Sequence, residues 1–394
     1  MNIGLFTDTY LPQVSGVATS IKTLKDELEK NGHRVTIFTT TDPNADENEP
    51  NIVRLTSIPF FSFKDRRIAV SGSHTAVKKA KEYELDLIHT QTEFSLGLTG
   101  KQVAKHLKIP CIHTYHTMYE DYLHYIAKGK IVKPYHVKLL ARYFCNQTDG
   151  VIAPSERVLE QLRTYEVVRP IEIIPTGVVL TDFNLDHKKD IRQELGFTND
   201  TPIILSLSRL SQEKNITAIL KAMPELIQAK PNLQLVIVGK GPQKAELEDL
   251  AVKLQITEHL TFIGEKERQE VPAYYAMADL FVSASESESQ GLTYIESLAC
   301  GTNIIAKQNV YTEGLIGTGD FGQLFLDDTD LAKTILNELD RPKNEAELAE
   351  KRSKLLYDIS SEAFGNHVLS FYQTVIDEYE YKERRGLKII KLYK

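Results

Sequence analysis

Glu288 and Glu296 stand eight residues apart and bracket a glycine in the run Glu288-Ser-Gln-Gly-Leu-Thr-Tyr-Ile-Glu296. That spacing slightly exceeds two helical turns, so the two carboxylates cannot sit side by side on one helix. A loop ending at Glu288 and a helix opening at Gly291 would instead place Glu296 on the second turn, with both acids lining one pocket. Backbone N–H groups of Gly291, Leu292 and Thr293 would then lie at the positive end of the helix dipole, a seat for phosphate. Paired carboxylates without a metal motif suit the gripping of sugar or ribose hydroxyls.

Upstream, Ser208-Arg209-Leu-Ser-Gln-Glu-Lys214 closes an apolar run. A planar guanidinium and a nearby ammonium can clamp a diphosphate and offset charge on a departing nucleotide. A solvated loop is the plainer reading of an isolated Arg/Lys pair, but the glutamate pair downstream weights it towards chemistry. Val238-Gly239-Lys240-Gly241-Pro242 is a turn after a strand and lacks the GxGxxG continuation, which counts against a nicotinamide or flavin enzyme. Near the start, Ser15-Gly16-Val17 opens a helix, where a glycine lets a ligand approach the backbone closely. His113 and His116 end another strand. His116 is placed to reach into a cleft, whereas His113 reads as packing. Glu120 and Asp121 follow, as weak bases or as anions at a helix start. The sole Asp-x-Asp, Asp328-Thr-Asp330, reads as a helix cap, so no protein-ligated metal is expected.

These residues need a frame. Short β-branched runs alternate with helical patterns: strands at Ile3–Thr7, Arg34–Thr39, Leu87–Thr90, Pro110–Thr114, Gly150–Ala153 and Glu172–Ile174, with a helix from about Gly16 to Lys30. After a polar stretch between Pro175 and Thr201, read as a hinge, the rhythm restarts. Strands fall at Ile203–Ser208, Leu233–Val238, Leu260–Ile263, Leu280–Ser283 and Asn303–Ala306, and helices at Ile216–Gln228 and Lys244–Leu254. This predicts an α/β chain of two Rossmann-like, doubly wound domains, with the site at the carboxyl ends of the strands. The boundaries expected are residues 1–178 for the first domain and 179–375 for the second. A tail from about 376 to 394 is amphipathic and then basic.

A chain of 394 residues suits two cores, and 42% hydrophobic with 26% charged residues is ordinary globular composition. Cys111, Cys145 and Cys300 are widely spaced, as buried thiols of a reducing compartment would be. No apolar run approaches a membrane span, and Met1-Asn2 runs directly into a strand, so a cytoplasmic protein is expected. The net charge of −7 hides an asymmetry: residues 1–175 hold 22 Lys and Arg against 20 Asp and Glu, the remainder 25 against 34. Aromatics beside cations in Phe60–Arg67, and the basic amphipathic run Lys128–Phe144, fit an anionic membrane surface better than nucleic acid, at roughly 1 kcal/mol per cation. A core-facing helix with a solvated basic side is the competing reading of the second segment.

The Glu-x7-Glu run, the Arg209/Lys214 pair, the GKGP turn and His116 together resemble the retaining GT-B glycosyltransferases of family 4, from Ile3 to about Tyr379. The opening GLFTDTYLPQVSGVATSI and the HTYHTMYEDY segment are similar to bacterial 1,2-diacylglycerol 3-glucosyltransferases. That resemblance implies transfer of glucose from UDP-glucose to diacylglycerol with retained α configuration, on the inner face of the cell membrane, and no tightly bound cofactor. It implies that Arg209 and Lys214 hold the diphosphate, Glu296 the ribose, Glu288 and His116 the transferred sugar, and Gly264-Glu265 the uridine. It also implies a last helix that returns to the first domain. Where the family usually has two glycines at the first helix, this chain has Ser15-Gly16. A soluble enzyme of the same family, a GDP-mannose-dependent phosphatidylinositol mannosyltransferase-like enzyme and a non-catalytic glycan-binding subunit remain as alternatives.

Overall fold

The computed structural model describes residues 1–13, 15–46, 49–60, 63–120, 133–183, 191–285, 291–342 and 345–392. Two compact units share the chain: Met1–Gly177 with Ser361–Lys394, and Val178–Ser360.

In the first unit, strands β1 (Asn2–Phe6), β2 (Arg34–Thr40), β3 (Ile52–Leu55), β4 (Ser57–Phe60), β5 (Phe63–Ala69), β6 (Leu87–Thr90), β7 (Cys111–Thr114), β8 (Gly150–Ala153) and β9 (Ile171–Ile173) alternate with helices. The helices are α1 (Gly16–Lys30), α2 (Ser73–Glu82), α3 (Ser95–Leu107), α4 (Pro134–Cys145) and α5 (Glu156–Thr164). Seven strands form a parallel sheet in the order β3-β2-β1-β6-β7-β8-β9, while β4 and β5 pair as an antiparallel hairpin. The central strands are buried on both faces, as helices on both sides require. Sequence order reverses between β1 and β6, the switch point where such sheets bind ligands.

The second unit repeats the plan. It comprises α6 (Ile191–Glu194), β10 (Ile203–Leu207), α7 (Ile216–Ala229), β11 (Gln234–Val238), α8 (Lys244–Lys253), β12 (Leu260–Gly264), α9 (Val271–Met277) and β13 (Leu280–Ser283). There follow α10 (Leu292–Ala299), β14 (Asn303–Lys307), α11 (Val310–Ile316), β15 (Gly322–Phe325), α12 (Leu331–Leu339) and α13 (Glu345–Asp358). Its six-stranded parallel sheet runs β12-β11-β10-β13-β14-β15, with the switch point between β10 and β13.

Every strand expected from the sequence forms, each end within a residue of its predicted place. One boundary differs. The final helix, α14 (Ser361–Leu392), belongs to the first unit from Ser361 rather than from about 376. Its residues Phe364, Val368, Phe371, Tyr372 and Val375 are built into the same core as Ile3, Ile21 and Leu87. Of the stretch expected as a hinge between Pro175 and Thr201, residues 184–190 lie outside the described residues. Phe183 and Ile191 lie in the second unit's core, and the Arg192 guanidinium donates to the Met277 and Thr201 carbonyls and to Asp279.

Candidate active site

At the carboxyl edge of the second sheet, three loops are stitched together by backbone. Ser208 N–H donates to Val238 O at 3.1 Å, Leu210 N–H to Lys240 O at 3.0 Å, and Gly239 N–H to Gly264 O at 2.8 Å. Gly239 has φ +138, and a Cβ there would lie 1.9 Å from the Ser208 carbonyl oxygen. The GKGP turn is therefore glycine-rich so that it can nest against the loop bearing Arg209. Arg209 stands out from that loop, its side chain 57% exposed, with Nη2 3.3 Å from Glu213 Oε1. Glu213 is buried and accepts from the Ser211 hydroxyl at 2.7 Å, so a fixed carboxylate aims the guanidinium. Lys214 ends the 3-10 turn Gln212–Lys214 just before α7. Beyond β13, the Ser285 hydroxyl donates to Glu213 O at 3.4 Å, which ties the strand leading to the glutamate pair to the Arg209 loop. At the end of β12, Glu265 pairs with Lys240 beside Gly264.

Gly291 caps α10 with φ +57, and a Cβ would meet the Tyr311 ring at 2.2 Å, so only glycine fits. The helix proper begins at Leu292. Thr293 and Leu292 therefore occupy its first turn, and Glu296 its second, as the spacing predicts. Glu296 is part-buried, and the Tyr275 hydroxyl donates to its Oε2 at 3.2 Å. Desolvation pushes its carboxyl up to about 7, outweighing the Tyr275 hydrogen bond and the attraction of Arg268. Glu288 lies outside the described residues.

The Asp328-Thr-Asp330 cap differs from expectation. Asp330 takes the position before α12 but makes no side-chain cap bond, and Asp328 instead accepts from Asn215 Nδ2 and Lys307 Nζ, both at 3.1 Å. It fastens α7 and β14 together, which is a structural task.

The first unit builds its own cluster. Gly16 opens α1 exposed, and the Ser15 hydroxyl before it accepts the Ala18 N–H at 3.2 Å. The serine that departs from the two-glycine pattern is thus the helix N-cap. His116 follows β7, buried, with Nε2 2.7 Å from Gln91 Oε1, and desolvation pulls its ring down to about 3, so it is neutral. His113 is packed as expected: its ring lies tilted against Phe144 at 4.7 Å between centroids, and it bonds Thr90 and Glu93. The Tyr119 hydroxyl donates to the other oxygen of Glu93. Glu120 accepts from Tyr165 at 2.7 Å, and Asp121 lies outside the described residues. Asp8, buried, takes the Thr92 and Ser95 hydroxyls and the Leu96 N–H, which locks β1 to the start of α3.

Sequence reasoning missed Gln91, Glu93, Glu213 and Tyr275. Gln91 and Glu93 could have been found, because they follow strand β6 as His116 follows β7. Glu213 and Tyr275 had no signal, being ordinary residues of a turn and a helix.

Of the two segments proposed for a membrane, Phe60–Arg67 falls within the β4–β5 hairpin, where Arg67 donates to Ser57 Oγ and O. In the other, residues 121–132 lie outside the described residues. Helix α4 exposes Tyr135, Leu139, Leu140 and Tyr143, and α3 with its preceding residue exposes Leu98 and Phe94. Lys138 and Arg142 share Glu166, each at 2.6 Å, and Lys101 turns in to the Phe144 carbonyl. Among the described residues, no helix is long and apolar enough to cross a membrane.

Two doubly wound parallel sheets, each carrying its polar cluster at the carboxyl edge of the switch point, are the architecture of GT-B glycosyltransferases. Residues 14–182 match the model of Glycosyltransferase Family 4 and residues 187–355 that of Glycosyl transferases group 1. Over 95% of its length the chain is 50% identical to the alpha-monoglucosyldiacylglycerol synthase of Streptococcus pneumoniae, of which it covers 86%. The enzyme of the same name from Acholeplasma laidlawii is 31% identical, over 96% of this chain and 98% of that protein. The Anabaena protein HepE, solved with UDP-glucose, has the same fold with a TM-score of 0.72 at 18% identity, over 94% of this chain and 99% of that one. The chain belongs to Glycosyltransferase Family 4.

Proposed function

We propose that this glycosyltransferase moves glucose from UDP-glucose to the 3-hydroxyl of 1,2-diacylglycerol, giving α-monoglucosyldiacylglycerol. The observation that carries the reading is the 50% identity, over 95% of the chain, to an alpha-monoglucosyldiacylglycerol synthase. In this reading Arg209 and Lys214 neutralise the diphosphate, helped by the N–H groups of Gly291, Leu292 and Thr293 and by Gly16. Glu296 binds the ribose, Gly264 and Glu265 border the uracil, and Glu288 and His116 hold the glucose. A neutral His116 suits a sugar hydroxyl, since it neither attracts nor repels the phosphates.

The acceptor oxygen bonds to the anomeric carbon on the face from which UDP departs. The C1–O bond to the β-phosphate breaks, and a phosphate oxygen of the leaving UDP takes the acceptor's proton. Charge grows on the diphosphate as that bond opens, so Arg209 and Lys214 act chiefly in the transition state. The exposed aromatic and aliphatic face of α4 and α3 docks on the inner membrane surface, where the acceptor resides. Because Lys138 and Arg142 already share Glu166, the apolar side chains contribute more to that docking than charge does.

Purified protein, UDP-glucose and liposomes of diacylglycerol with an anionic lipid should yield monoglucosyl-diacylglycerol by mass spectrometry. Hydrolysis of UDP-glucose without lipid product would move the acceptor to a soluble sugar or protein. Activity with GDP-mannose alone would overturn the donor.

A further inference from the structure

Gln91 lies one residue past β6, at the switch point of the first sheet. Its N–H donates to the Phe6 carbonyl at 2.8 Å, and its neighbours are pinned as well, Thr90 by His113 and Thr92 by Asp8. With the backbone fixed and only 2% of the residue exposed, the side chain is held in place. Gln91 Oε1 accepts from His116 Nε2 at 2.7 Å. A carbonyl oxygen carries no hydrogen, so this contact places the His116 proton on Nε2 and sets the tautomer.

The other end of the amide is the informative one. Gln91 Nε2 is buried and has no hydrogen-bond partner among the described residues. Leaving a buried donor unmade is costly, and a group in that condition beside a polar cluster at a switch point is waiting for an acceptor. Near His116, which bonds Gln91, the chain of Thr90, His113, Glu93 and Tyr119 includes no Lys or Arg, and Glu93 brings a carboxylate. Such a cluster suits an uncharged hydroxyl and disfavours a phosphate.

We propose that Gln91 is a specificity-determining residue: its carboxamide N–H donates to a hydroxyl of the transferred hexose, while its carbonyl oxygen holds His116 in the Nε2-protonated form. This rests on the reading that His116 faces the transferred sugar.

The test compares wild type, Gln91→Met, which keeps the shape without hydrogen bonds, and Gln91→Glu, which keeps an acceptor and removes the amide donor. Each is assayed with UDP-glucose and with its monodeoxy analogues, and UDP affinity reports on the second unit. Wild type should discriminate against one analogue by about tenfold to a hundredfold in kcat/KM. In both variants that gap should collapse to about threefold or less, with UDP affinity unchanged. In Gln91→Met the nitrogen-15 spectrum of His116 should move from the Nε2-protonated form to a mixture of tautomers. Retained discrimination in Gln91→Met overturns the hydroxyl contact, and an unchanged tautomer overturns the positioning role. A fully active His116→Ala would sink the placement of His116 against the sugar, and the nitrogen-15 result would still judge the Gln91–His116 pair by itself.

Discussion

If Glu296 binds the donor ribose as proposed, it gives donor binding a pH dependence that ordinary carboxylates would not. Its carboxyl is raised from 4.5 to about 7 by desolvation, which corresponds to roughly 3 kcal/mol of added cost for ionising it in the empty site. The ribose hydroxyls are donors and need the carboxylate form. Binding of UDP-glucose must therefore drive out a proton, and at pH 6 only about a tenth of the empty sites are ready. UDP-glucose affinity should thus be about tenfold weaker at pH 6 than on the plateau above pH 8. UDP-glucose is the right probe because its diphosphate diester does not titrate in this range. Calorimetry in buffers of different ionisation enthalpy, without acceptor, measures both the affinity and the released proton. Glu296→Gln should bind more weakly and lose the dependence. For the empty protein the sign runs the other way. A carboxyl whose folded pKa lies above its unfolded value favours the fold in its protonated form, so that contribution is full below about pH 4.5 and is lost as pH rises to about 7. A wild-type affinity that is flat between about pH 6 and 8, or a Glu296→Gln variant with the same slope, would refute the reasoning.

Arg209→Ala and Lys214→Ala should each lower kcat/KM by about a hundredfold or more, mostly in kcat; turnover within about twofold of wild type would remove them from the diphosphate. Ser15→Ala should cost about 1 kcal/mol of stability by stripping the α1 cap, whereas Ser15→Gly should cost a few tenths, which thermal melting separates. Gly239→Ala should disable catalysis without touching substrate, because the new Cβ would displace the Ser208–Leu210 loop; wild-type rates in that variant would show that the turn tolerates a side chain. Replacing Tyr135, Leu139 and Tyr143 together with Ser should release the protein from vesicles in a flotation assay while leaving UDP affinity unchanged. Retained flotation would place the docking face elsewhere.

Eleven strands were legible because runs of β-branched and apolar residues alternate with helical periodicity, whereas the edge strands β3 and β15 and the β4–β5 hairpin carried too short a signal to be read. Glu296 and Gly291 were legible for a related reason, since eight residues and a helix start leave little freedom. Arg209 and Lys214 could be named but not oriented, because Glu213, the carboxylate that aims Arg209, is recognisable only once its burial is known. The Phe60–Arg67 segment could be read as aromatics beside cations, but its antiparallel pairing could not, because short alternating runs leave strand partners open. The partners of Arg192 in the second unit were not legible, because a polar residue looks solvated until its long-range partners are found.

The path of α14 has a consequence for how the protein is made. Val178–Ser360 is a single uninterrupted stretch that can complete its core as soon as it leaves the ribosome. The amino-terminal half emerges first, yet the core formed by Ile3 and Leu87 of its sheet and Ile21 of α1 lacks Phe364, Val368, Phe371, Tyr372 and Val375 until α14 has been made. The order of synthesis and the order of completion are inverted, and the earliest residues wait longest with apolar surface uncovered. A released chain ending near residue 360 should therefore yield to protease in its first half and resist it in its second.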